Sequence, residues 1–181
     1  MLLKERLDAL YATFNGVDSA TDPIQIVRRF TDAADREVVG FCAAALAFGR
    51  VASVLQSIER LVSVMGPSPA AFVRGFEPPR DGRALKPIVH RWTRGEDLTA
   101  LIIILQQMLT RGSIEAFFLE GDDPGAPDIS GALESFSRRA LAIDVRPAYG
   151  SRAPHPGVTY FFSRPSGGGA CKRLNLFLRW M

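Results

Sequence analysis

A glycine-rich turn that leads into basic residues is the part of this sequence best suited to chemistry. Residues 166–173 read SGGGACKR and continue into an amphipathic segment. A glycine-rich turn before a helix aims backbone N–H groups and the positive end of the helix dipole at one place, which suits an anion. It is not a Walker loop, because the first glycine lies too close to Lys172 and no Ser or Thr follows that lysine. The segment predicts a phosphate-binding turn of another type.

The positive charge of the chain is concentrated around this turn. Residues 138–181 carry 8 basic and one acidic side chain, whereas residues 1–137 carry 14 basic and 18 acidic side chains. Clustered positive charge attracts a phosphate backbone, because each neutralised phosphate releases condensed counterions. We therefore expect DNA as a partner, with ordinary solvated surface charge as the alternative.

Several other protein classes fit this sequence poorly. The longest apolar run, residues 38–48, is far shorter than the roughly 20 residues that cross a bilayer. The N-terminus carries charge from Lys4 and has no secretory apolar block. Cys42 and Cys171 are too few for a disulfide framework or a four-cysteine metal site. We expect a soluble cytoplasmic protein that uses no membrane, metal or cofactor.

Helical periodicity dominates the chain and predicts an all-α, multi-helix single domain over residues 1–181. Residues 38–46 are apolar on nearly every face and should form the core. Residues 66–83 should form a connection with one short helical turn, and residues 158–162 (VTYFF) either a small β-hairpin or part of a long loop. The expected helices span residues 2–14, 22–30, 35–48, 51–65, 85–92, 97–110, 113–120, 129–143 and 170–181.

The glycine-rich turn resembles the helix-hairpin-helix turn of the HhH-GPD DNA glycosylase superfamily, which includes endonuclease III. The superfamily pattern is Gly, an apolar residue, Gly, any residue and Lys, often with Asn three residues later. Gly168, Lys172 and Asn175 fall in register, and Ala170 replaces the second glycine. Residues 37–50 are similar to the buried helix of that superfamily, which ends in a polar turn that probes the DNA stack.

The resemblance implies roles for residues of both segments. Lys172 matches the lysine that attacks the sugar C1′ in bifunctional glycosylases, and a surface lysine on a capping turn is the alternative. Arg50 would lie at the turn that enters DNA, or simply be solvated. Cys171 is either a buried filler or a reactive thiol. The residues that the resemblance places against DNA phosphates are Gly168, Gly169, Ala170 and Arg173.

Most of the chain also resembles an uncharacterised prokaryotic family, a domain of unknown function. Members of that family carry an Asp-Arg-Glu-x-Val-Gly-Phe helix, a Gly-Arg turn and an Ala-Cys-Lys-Arg-Leu-Asn helix. The corresponding segments here are residues 35–41, 49–50 and 170–175. This resemblance implies no particular chemistry by itself.

The catalytic aspartate of the glycosylase superfamily has no counterpart in this sequence. It lies about a helix and a turn beyond the lysine, and nine residues follow Lys172 here. The apolar helical phase of residues 174–181 continues to the last residue, so we expect a C-terminally truncated domain. The sequence thus predicts a DNA-binding protein, inactive as it stands, with a base-excision-repair role in a full-length relative. The alternative is a non-catalytic helical DNA-binding or protein-interaction module, and the oligomeric state stays open.

Overall fold

The computed structural model describes residues 3–14, 22–150 and 156–181. Within these residues every regular element is a helix, and the single isolated β-bridge joins His90 to Thr93. The predicted all-α fold is confirmed. The helices are α1 Leu3–Phe14, α2 Ile24–Val27, α3 Ala33–Leu46, α4 Val51–Met65, α5 Pro69–Arg74, α6 Pro78–Leu85, α7 Gly95–Leu109, α8 Ile114–Leu119, α9 Ser130–Leu141, α10 Arg146–Tyr149, α11 Pro156–Phe161 and α12 Lys172–Trp180.

Helix α3 is the first of two central helices. Its N-terminus is capped by Asp32, whose Oδ1 accepts the N–H of Asp35 at 3.0 Å. Every residue from 38 to 46 is buried, as the sequence predicts. Helices α2, α4, α5 and α12 pack around α3. Its Phe41 ring lies 5.1 Å from the ring of Phe177 on α12, which fixes the C-terminal helix to the core.

Helix α7 is the second central helix, and helices α5, α6, α8, α10 and α11 pack against it. Its β-branched residues would suit a strand, but residues 97–105 are all buried in a helix, as predicted. The helix begins at Gly95, two residues before the predicted start. Oδ2 of Asp97 accepts the N–H of Arg94 at 2.8 Å and so closes the first turn.

Three sequence expectations were wrong. Residues 66–83 contain helix α5 and most of helix α6, where a connection with one short helical turn was expected. The helix predicted over residues 85–92 lies earlier as α6, because prolines open its first turn and Leu85 is its buried last residue. Residues 158–162 form no hairpin, since α11 covers Val158 to Phe161. Both of these side chains are buried at a spacing of three, which also fits a helix face. Gly157 lets α11 approach α7, since a Cβ there would overlap Oδ1 of Asp97.

Helix α1 forms as predicted, but its apolar face is exposed. Leu3, Leu7, Leu10 and Tyr11 are each more than half exposed. None of the described helices is long and apolar enough to cross a membrane.

Candidate functional site

The glycine-rich turn connects α11 to α12 and forms an exposed surface. A short 3-10 helix spans Pro165–Gly167, and Gly168 follows in the left-handed region with φ 73°. The chain then reaches Cys171, which also adopts a left-handed conformation (φ 46°) and caps α12 without a side-chain hydrogen bond. The predicted glycine-rich turn into a basic helix is therefore present, and helix α11 precedes it in place of the predicted loop or hairpin.

The backbone N–H groups of this turn fall into two sets. Ser166 donates its N–H and its hydroxyl to the carboxylate of Glu134, at 3.0 and 2.9 Å. These bonds lower the pKa of Glu134. The N–H groups of Gly167 and Gly168 donate to carbonyls of the same turn. By contrast, the N–H groups of residues 169–174 donate to no described residue. Among the described N–H groups of this segment, only those of residues 169–174 are available to donate to an external anion.

Lys172 and Asn175 lie on the first turn of α12 and have different surroundings. The Lys172 side chain is exposed, and no carboxylate of the described residues forms an ion pair with it. The amide Nδ2 of Asn175 donates to the carbonyl of Ala170 at 2.9 Å. Asn175 thus ties the turn to the helix, which explains its place three residues after the lysine without any contact to DNA.

Arg173 is anchored in the structure. Its guanidinium carbon lies 3.6 Å from the ring centre of Tyr160 and 4.7 Å from that of Phe48. Its Nη1 donates to the carbonyl of Tyr160 at 2.9 Å, whereas Nε is buried with no hydrogen-bond partner. Arg173 therefore combines a positioning role with a positive charge at the surface.

Three aromatic residues from distant parts of the chain meet beside Arg173. The rings of Phe48 and Trp92 are stacked with centres 4.7 Å apart, and Tyr160 meets both rings edge-on at 5.6 and 5.2 Å. Trp92 is 47% exposed and Tyr160 is 38% exposed. We call Phe48, Trp92 and Tyr160 the aromatic platform.

Buried His90 supports this platform from the protein side. Its Nε2 lies 2.9 Å from the Phe48 carbonyl oxygen, and its Nδ1 lies 2.9 Å from Oγ of Ser57. Because a carbonyl can only accept, Nε2 carries the proton of the neutral ring. Burial lowers the pKa of His90, and the neighbouring charges of Arg91 and Arg173 lower it further.

The turn that contains Arg50 reaches the same surface. Arg50 is exposed two residues after Phe48, whose ring Arg173 covers. The Arg91 side chain lies against Gly49, since a Cβ on that glycine would be 3.1 Å from Nη1 of Arg91. The Gly49–Arg50 turn therefore lies next to Arg91 and to the Phe48 ring that Arg173 covers.

The acidic residues of α3 cap neighbouring helices. Oδ1 of Asp35 accepts the N–H of Ala70, in the first turn of α5, at 2.7 Å. The two carboxylate oxygens of Glu37 accept the N–H groups of Ile114 and Glu115, at the start of α8, at 2.9 and 2.7 Å. Burial raises the pKa of Glu37 against these two bonds. The sequence indicated only that such residues start their own helix.

Neither cysteine has the surroundings of a reactive thiol. Cys42 is fully buried, which raises its pKa to about 12. Burial also raises the pKa of Cys171, whose Sγ donates to the carbonyl of Ser163 at 3.2 Å. Among the described residues, no cluster of three His, Cys, Asp or Glu side chains could hold a metal ion.

Sequence reasoning did not select Trp92, Tyr160 or Arg91. Arg91 and Trp92 are adjacent but far from Tyr160 in the chain, and both surrounding segments were expected to have a different local structure. Nothing in the spacing of these residues indicates that they meet. The one available signal was their type, since aromatic residues beside arginines are common where proteins contact nucleic acids.

One protein-family model matches most of the chain. The model of the family described as "Protein of unknown function (DUF2400)" matches residues 22–181. The chain belongs to this family. The matched region includes α2 to α12 and hence every residue of the surface described above, and α1 precedes it. No curated protein and no solved structure matches the chain.

Proposed function

We propose that this member of the DUF2400 family binds DNA through the surface formed by the start of α12, the Gly49–Arg50 turn and the aromatic platform. The observation that carries the proposal is that Arg91 and Arg173 border the same aromatic platform, while exposed Arg50 directly follows Gly49 and exposed Lys172 directly precedes Arg173 in the chain. A DNA backbone presents the closely spaced negative charges that such a group of cations attracts.

The cations of this surface are not neutralised by carboxylates of the described residues. No carboxylate of the described residues forms an ion pair with any of the four. Elsewhere some arginines are paired, such as Arg29 with Glu59 at 2.6 Å and Arg139 with Glu120 at 2.9 Å, whereas others, such as Arg60, form no ion pair with a described carboxylate. Unpaired cations gathered on one surface favour an external anionic partner.

The start of α12 also departs from the usual rules of helix stability. Lys172 and Arg173 occupy its first turn, where positive charge is unfavourable to the helix dipole by about 0.3–1 kcal/mol. Arg91 and Cys171 are the non-glycine residues that have positive φ among the described residues, and both lie at this surface. Such departures concentrate at functional sites, and a bound phosphate would offset the unfavourable charge.

The glycosylase resemblance suggests base excision as the finer form of this function, with Lys172 as the nucleophile. The exposure of Lys172 on the first turn of α12 is compatible with that role. Base excision also needs a carboxylate partner, and no described carboxylate contacts Lys172. We therefore put binding first and propose excision only for a relative that supplies such a carboxylate.

The test measures the affinity for a short labelled duplex by fluorescence anisotropy while salt is varied. If about three phosphates are neutralised, affinity should fall roughly 40-fold between about 50 and 200 mM salt. Lys172→Glu should weaken binding several-fold at low salt. Arg60→Glu is the control, because it alters charge by the same amount at an exposed site of α4.

Two outcomes would contradict the proposal. Equal weakening by both variants would show diffuse attraction by the whole protein, without a defined site. Failure to bind duplex or single-stranded DNA at low salt would exclude DNA as the partner.

A further inference from the structure

We infer that the aromatic platform of Phe48, Trp92 and Tyr160 stacks an unpaired base of single-stranded DNA. The inference rests on the proposed DNA-binding function and specifies the form of DNA that the site prefers. It starts from the exposed ring surface and the cations that border it.

The stacking surface of the platform is the exposed part of the Trp92 indole, because Arg173 lies over the rings of Phe48 and Tyr160. Phe48 covers part of the Trp92 indole, yet 47% of this residue stays exposed. Tyr160 packs edge-on against both rings, and the Phe48 carbonyl is held by buried His90. A ring held in this way loses little conformational freedom when a base stacks on it, so more of the stacking energy contributes to affinity.

The charges around the platform favour a nucleotide over an apolar peptide. The guanidinium carbon of Arg91 lies 5.4 Å from the Trp92 ring centre, and that of Arg173 lies 3.6 Å from the Tyr160 ring centre. Neither arginine has an acidic partner among the described residues. An apolar peptide would leave both charges uncompensated, whereas a nucleotide supplies an aromatic ring and a phosphate at neighbouring positions. Proteins that bind single strands combine these two contacts.

The same geometry sets a preference between forms of DNA. In a duplex each base is stacked between its neighbours and its faces are inaccessible. A single strand presents free base faces, and each stacking contact with an aromatic side chain contributes substantially to binding. Duplex DNA can still contact the cations, so Trp92 should matter for single strands and Lys172 for both forms.

The experiment compares a labelled oligothymidylate with a duplex of the same length. Trp92→Ala should weaken binding of the oligothymidylate about tenfold and change duplex affinity less than twofold. Trp92→Phe should retain most of the affinity, because a ring remains for stacking. Leu119→Ala, which removes a similarly exposed apolar side chain from α8, is the matched control.

A second readout detects stacking directly. The chain has two tryptophans, Trp92 and Trp180, so Trp180→Phe leaves Trp92 as the only one. Its fluorescence should be quenched by oligothymidylate, and the duplex should quench it much less. Melting curves of each variant show whether it is folded.

The outcomes separate this inference from the function on which it rests. One outcome would overturn the stacking inference and leave the proposed function standing. In that outcome Lys172→Glu weakens duplex binding, and Trp92→Ala changes the affinity for both DNA forms equally. Binding of oligothymidylate without quenching of Trp92 would also overturn the stacking inference. If the unmodified protein bound neither duplex nor single-stranded DNA, both proposals would be overturned.

Discussion

Helix α8 and helix α12 begin in opposite ways. The first three N–H groups of α8 are all used: Glu37 accepts two, and Oγ of Ser113 accepts that of Ala116 at 2.9 Å. The first N–H groups of α12 donate to no described residue, and its first turn carries Lys172 and Arg173 in place of an acidic residue. One helix start is closed by the protein's own carboxylate, and the other is open and basic.

Burial determines whether the N–H groups at a helix start are bonded by the protein itself or left to solvent. The start of α8 lies against the core, where an unpaired N–H group costs about 1–3 kcal/mol, so the protein supplies a carboxylate from α3. The start of α12 lies at the surface next to exposed glycines, where water can satisfy its N–H groups at little cost. The acidic α3 residues therefore stabilise the fold, and the basic residues of α12 remain available to a partner.

The largest expected effect is a loss of stability when the carboxylate at the start of α8 is removed. Glu37→Ala leaves two N–H groups of α8 without an acceptor and should lower the free energy of unfolding by about 3 kcal/mol. Asp35→Ala removes a single acceptor, from Ala70, and should cost about half as much. Urea unfolding gives both values.

A neighbouring acidic residue provides the control for this prediction. Glu115→Ala removes an exposed glutamate from the first turn of α8 and should change stability by less than about 0.5 kcal/mol. If Glu37→Ala were equally mild, the two carboxylate bonds would not stabilise the fold. DNA affinity of the folded Glu37→Ala protein should equal that of the unmodified protein.

A smaller effect is expected when the open helix start is disturbed. Gly168 has φ 73° with open space around it, so Gly168→Ala costs only backbone strain, about 1 kcal/mol. Gly167→Ala also meets open space, but without a positive φ, and should be nearly neutral. Thermal melts and duplex titrations of this pair test whether the turn must hold its conformation. Equal effects of the two variants would show that it need not.

The smallest expected effect concerns the neutral histidine beneath the platform. Burial holds the pKa of His90 below its usual 6.5, so the unfolded chain takes up a proton more readily than the folded chain. The contribution of His90 to stability should be complete above pH 6.5 and should be lost as the pH falls from there through the folded pKa.

Histidine variants isolate this contribution from that of the carboxylates. Unfolding free energies at several pH values are compared for the unmodified protein, His90→Gln and His155→Gln. The pH-dependent part should disappear in His90→Gln and persist in His155→Gln. An unchanged pH profile in His90→Gln would mean that the ring is not held neutral by burial.

Local sequence signals were sufficient for most helices and for the core. The uniformly apolar residues 38–46 could only be buried, and the periodicity of α3, α4, α7 and α9 follows from which residues must face the core. The cap at Ser113 and the basic, glycine-rich start of α12 could also be predicted from the sequence, because caps and turns depend on a few adjacent residues. The family-like motifs of residues 35–41 and 170–175 were identifiable for the same reason.

Tertiary structure alone decided the contacts between distant segments. Residues 158–162 carry strand-forming types, but residues 158–161 pack against α7 as part of helix α11, since burial outweighs local propensity. The bonds from Glu37 to α8 join residues 77 and 78 positions apart, and the aromatic platform joins residues 48, 92 and 160. Pairings of this kind depend on how the helices pack in three dimensions, which no local pattern encodes.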